Sequence, residues 1–138
     1  MKDLVRVAAD AGLTLHAAHL EGDTLGIYDA DRRAIWFDVR LTPSERRSVV
    51  AHELGHDYFG HRCSGGPQER QADAYAAALL IDPDEYAALE RFNPDAHVLA
   101  EEFGVTVEVI EDYRRYCLLP IGRAVYFRQR ASRERRIA

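Results

Sequence analysis

One helix constrains this chain more than any other feature. Thr42 is followed by Pro43 and, three residues on, by Glu45: an N-cap, a first-turn proline and a capping-box partner. That start runs straight into His52-Glu53-Leu54-Gly55-His56. The pattern predicts a helix over residues 43–60, broken by the glycine- and proline-containing stretch 63–67. A second helix is expected over 68–81, ahead of Pro83, and a third over 83–92, stopped by Asn93-Pro94. Residues 95–103, 104–106 and 107–117 read as helix, tight turn, helix. Upstream, Leu4, Val5, Ala8 and Ala11 mark one helical face, and Gly12 stands where a C-terminal capping glycine belongs. Residues 13–20, 24–28 and 34–39 are strand candidates, with a polar turn over 29–33. The expected class is α+β: a small antiparallel sheet packed on a helical core, followed by a helix-turn-helix-like pair.

The HExxH string carries the chemistry. Histidines at i and i+4 share a helix face, so their imidazoles can converge on one ion. Glu53, next to the first of them, can reach water at that ion as a general base. Zn2+ suits two imidazoles and a carboxylate and leaves one position open. The third ligand should come from the neighbouring helix. There Glu69 and Asp73 stand at i and i+4, and Ala72, Ala76 and Ala77 are small enough for close approach. Glu69 is the expected ligand, and Asp73 the expected acceptor for the far nitrogen of a ligand histidine. The bland alternative is an exposed acidic pair favoured by the helix dipole.

His61 is the rival ligand. The pattern H-E-x-x-H-x-x-G-x-x-H would place a third histidine six residues after the second, above a methionine turn. His61 comes five residues after His56, and Met1 is the only methionine. His61 is therefore left as an orienting or packing residue. Cys63 could fill the open position. Tyr28 and Tyr75 could offer a phenol to an oxyanion. Asp57 reads as a solvated helix residue, and His16, His19 and His97 show no ligand spacing.

Charge and hydropathy bound the setting. The longest apolar run, residues 74–81, is too short to cross a membrane, and the N-terminus lacks the apolar stretch of a signal peptide. Two cysteines do not make a disulfide framework, so a cytoplasmic setting is expected. The net charge of −5 divides into −12 over residues 1–113 and +7 over 114–138. The basic arm could contact nucleic acid or an acidic protein surface, with Tyr126 and Phe127 among its arginines. The pair over 95–117 is net acidic through Glu101, Glu102, Glu108, Glu111 and Asp112, which suits a protein contact better than DNA.

Several segments in order resemble the ImmA/IrrE family of zinc metallo-endopeptidases. They are residues 26–38, residues 41–47, Ala51-His-Glu-Leu-Gly-His56 with Gly60-His61, residues 69–80 and residues 99–106. The resemblance covers about residues 1–118. It implies a zincin-like core over 1–94, a helix-turn-helix-like pair over 95–118 packed on it, and a basic arm over 119–138. It implies zinc ligands at His52, His56 and Glu69, with Glu53 catalytic. It also implies an antirepressor that cleaves a helix-turn-helix repressor of a phage, mobile element or stress regulon. The alternative is a non-proteolytic antirepressor that sequesters a repressor or contacts DNA through the arm. Gln71 departs from the acidic residue common there, and Leu80-Ile-Asp-Pro83 from the usual Leu-Met-Pro ending. The length is expected to leave no room for the sensor domain of larger members.

Overall fold

The computed structural model describes residues 1–63, 65–121 and 124–127, with 119–121 and 124–127 described as backbone. In chain order the elements are α1 (Lys2–Asp10), β1 (Thr14–Ala18), β2 (Gly26–Asp29), β3 (Ala34–Asp38), α2 (Pro43–Tyr58), α3 (Gly66–Leu80), α4 (Pro83–Phe92), α5 (Ala96–Phe103) and α6 (Val107–Asp112). A π-helical turn (Tyr113–Cys117) prolongs α6 where a continuous α-helix was expected, and β4 (Leu118–Ile121) and β5 (Ala124–Phe127) pair antiparallel after it. The class is α+β, as the patterning predicts.

The punctuation of the sequence does what its chemistry requires. Both halves of the capping box form at α2: Thr42 accepts from the Glu45 N–H at 3.3 Å, and Glu45 from the Thr42 N–H at 3.0 Å. Asp82 caps α4 and Asp95 caps α5 through their side chains alone, accepting from the Glu85 N–H and from the His97 and Val98 N–H groups. Gly12 and Gly104 take the left-handed backbone that ends α1 and α5.

The sheet is mixed, not wholly antiparallel as expected. Its order is β1-β3-β2, with β2 antiparallel to β3 and β1 parallel to it. The polar turn over 29–33 dictates only the β2–β3 hairpin. Burial decides the rest: Ala34 and Ile35 are the buried apolar residues of the sheet's most apolar strand, and β3 takes the centre so that neighbours cover both its edges. The sheet packs on α2, whose Val50, Ala51 and Leu54 are buried, as are Ala72, Ala76 and Ala77 of α3. From α2, Arg47 donates to the carbonyls of Phe103 and Gly104 at 2.6 and 2.9 Å, tying down the turn between α5 and α6. Among the described residues no helix is long and apolar enough to cross a membrane. Residues 128–138 and Arg123, which carry most of the expected basic arm, lie outside the described residues.

Asp38 closes the end of β3. Only 2% exposed, it accepts from the Arg40 side chain and from the Arg40 and Leu20 N–H groups. The Arg40 guanidinium bond, followed by the backbone bonds, holds its carboxyl well below the ordinary range. A folded-state value that is depressed contributes stability above the unfolded value, near 4, and loses it on acidification. Asp38→Asn should therefore lower the Tm at neutral pH and flatten its fall below about pH 4, read by circular dichroism melts across pH.

Candidate metal centre

Where α2 crosses α3, backbone meets backbone. A Cβ on Gly55 would stand 2.9 Å from the Ala72 Cα and 3.0 Å from its carbonyl oxygen. The glycine inside the histidine string and an alanine on the next helix thus allow the closest approach available to two helices. Glu69, one turn before Ala72, is carried over the α2 face that bears the histidines. Its Oε2 lies 2.8 Å from His52 Nε2 and its Oε1 3.3 Å from His56 Nε2. One ligand atom from each of these residues falls within 4.8 Å of the others.

The donor set fits a divalent metal. Two imidazole nitrogens and one carboxylate oxygen within 4.8 Å of one another are a donor set of the kind that holds zinc. Both imidazoles turn Nε2 toward the carboxylate and Nδ1 away, so the outer atoms need partners. His52 Nδ1 meets Asp73 Oδ1 at 2.8 Å, the contact expected of Asp73. His56 Nδ1 meets His61 Nδ1 at 2.9 Å, and His61 Nε2 meets the Gln71 amide oxygen at 2.7 Å. With that oxygen accepting, His61 carries its proton on Nε2 and accepts from His56 Nδ1–H, which frees the His56 Nε2 lone pair. Phe59 stacks on the His61 ring, 5.6 Å between centroids and 13° from parallel. His61 is both an orienting and a packing residue. Gln71, noted above only as a departure, completes its support.

Glu53 stands beside the triad. Burial pushes its carboxyl up to about 7, with His52 acting against the shift and Glu69 adding to it. For His52 burial acts downward, but the Asp73 bond and the charges of Glu53, Asp73 and Glu69 leave it raised; His56 is lowered by burial and by His52. Strand β2 runs directly against this region. A Cβ on Gly26 would lie 2.5 Å from Val49 Cγ1 and 3.1 Å from Glu53 Oε1. Gly26, a glycine within a strand, is the signal in the sequence for this close approach.

A cleft of about 990 Å³ opens over the triad, lined by β2, α2, α3 and α6. Tyr28 and Cys63 line it, but among the described residues the group able to hold a metal consists of His52, His56 and Glu69. The Tyr28 hydroxyl donates to Asp57 at 2.8 Å, and Asp57 also pairs with Arg33. Asp57, 13% exposed, is thus a packed partner and not the solvated residue expected. Tyr75 is buried against the Tyr58 ring. His16 stacks on Trp36, and none of His16, His19 and His97 lines the cleft.

Comparison with known proteins agrees with this picture. The family model of the IrrE N-terminal-like domain (Peptidase_M78) matches residues 8–113. A search of curated proteins finds no match. Among solved structures, a chain described as a Mycobacterium tuberculosis transcriptional regulator superposes with a TM-score of 0.66 at 19% identity. The match covers 88% of the present chain and 42% of the regulator chain, so it speaks for the fold.

Two variants probe this geometry. Gly55→Ala should cost about 1–3 kcal/mol through overpacking at the helix crossing and weaken metal binding with it, measured by thermal melts and zinc titration. His61→Ala should reduce zinc affinity by about 10-fold or more, whereas Gln71→Glu, which keeps an acceptor on the His61 ring, should largely retain it.

Proposed function

The chain belongs to the IrrE N-terminal-like domain family, and we propose that it acts as a zinc-dependent endopeptidase on a regulatory protein. The observation that carries this reading is a half-buried carboxylate, Glu53, set beside an imidazole–imidazole–carboxylate triad in one open cleft. In this reading His52, His56 and Glu69 hold zinc, and Asp73 and His61 keep the two rings in the tautomers that ligation needs. Zinc, when bound, supplies Lewis acidity to a carbonyl and acidity to water.

The remaining steps belong to the chain's own groups. Next to a ligand histidine and lining the cleft, Glu53 is placed to take a proton from the attacking water and pass it to the leaving amine. Strand β2 lies at the edge of the sheet and along the cleft, offering backbone donors and acceptors to an extended peptide. The peptidase family assignment supports hydrolysis of a protein. We take the substrate to be a helix-turn-helix repressor, as in antirepressors of phages, mobile elements or stress regulons; the structural neighbour's description as a transcriptional regulator agrees with a regulatory setting.

Incubation with the repressor encoded beside its gene should yield discrete fragments, and a chelator should abolish them. Glu53→Gln should lower the rate by about 100-fold or more while retaining zinc. A Glu53→Gln protein that still disables the repressor without cutting it would instead establish sequestration.

A further inference from the structure

The metal centre accounts for only part of the charge in its cleft. Among the described residues eight carboxylates line the cleft against one guanidinium, Arg62, and Arg62 is held by Asp31 at 2.7 Å. Glu53, Glu69 and Asp73 belong to the centre, and a dication there would offset two negative charges. The walls keep Asp29, Asp31, Glu45, Glu108 and Asp112. Asp29 is engaged by the backbone N–H groups of its own turn, and Glu45 by the cap of α2.

Glu108 and Asp112 have no such engagement. Among the described residues neither makes a hydrogen bond or ion pair, and Asp112 supplies no side-chain cap to the turn that follows it. They stand at i and i+4 on α6, one above the other along the cleft wall. Like charges at that spacing repel, and no described residue bonds to either carboxylate. Burial and the nearby Asp73 push the Asp112 carboxyl up to about 6, against a weaker opposing effect of Arg115. Neither residue belongs to a group able to hold a metal among those described. What these two carboxylates lack among the described residues is a cation, in a cleft large enough for a peptide and bordered by the sheet edge of β2.

We propose that this cleft takes a cationic polypeptide segment, and that Glu108 and Asp112 select a lysine or arginine side chain within it. The proposal deepens the peptidase reading and rests on it, since the reading is what makes the cleft a peptide site. Charge complementarity supplies the choice of partner. A protein that binds DNA presents such segments on its phosphate-facing surface.

Binding tests this apart from hydrolysis. The probe is the full-length Glu53→Gln protein loaded with zinc, mixed with labelled decapeptides in which alanine alternates with arginine, glutamine or glutamate. Fluorescence anisotropy should rank arginine above glutamine by about tenfold or more, with no binding of the glutamate peptide. Adding Glu108→Gln and Asp112→Asn should erase that ranking. Adding Glu101→Gln and Glu102→Gln, an equal loss of charge outside the cleft, should leave it intact. Equal affinity for all three peptides, or equal loss in both pairs of variants, would overturn the proposal. So would a ranking that emerges only after residues 128–138 are removed, since the chain's own arginines would then be the occupant. A ranking that holds while the wild-type protein cuts none of the peptides or the repressor would uphold the binding assignment and sink the peptidase reading alone.

Discussion

The site depends on one contact that has no side chain in it. At Gly55 and Ala72 the backbones of α2 and α3 touch, and a single methylene on Gly55 would have nowhere to go. Helix separation normally follows the side chains at the contact, typically 8–10 Å between axes. Removing them here brings Glu69 within hydrogen-bonding distance of two imidazoles on the other helix. The helix crossing therefore sets the distance over which three donors can share one ion. The surrounding apolar residues, Val50, Ala51 and Leu54 against Ala76 and Ala77, hold that crossing in place.

Orientation is a separate problem, and the fold solves it differently for the two histidines. His52 is steered by a carboxylate, Asp73, one turn beyond Glu69 on the same helix. His56 is steered through His61 by the amide of Gln71, with Phe59 flat against the intermediate ring. A carboxylate partner adds negative charge beside a ligand, whereas a neutral imidazole–amide chain fixes a tautomer without adding any. The centre thus gains one outer anion where it could have had two, within a cleft already rich in carboxylates.

Much of this was legible residue by residue. The capping box at Thr42 and Glu45, the caps at Asp82 and Asp95 and the glycine at 104 are local devices, and each acts where the pattern predicts. His52 and His56 share a face by helical periodicity alone. The parallel pairing of β1 with β3 was not legible, because a hairpin turn dictates only the strands it joins. Asp57 was misread for a related reason: its partners, Tyr28 and Arg33, come from the sheet, far from it in sequence.

The sequence by itself determined the helices, their ends, the two histidines at ligand spacing and the small residues that would let a second helix come near. These follow from steric and hydrogen-bonding preferences acting over a few residues. Tertiary structure alone decided that Glu69 closes on both imidazoles, that Gln71 supports His61, that Gly26 lies on Glu53, and that Glu108 and Asp112 face the same cleft. Those relations join elements whose approach is set by packing of the whole core, and no local pattern carries a distance between two helices.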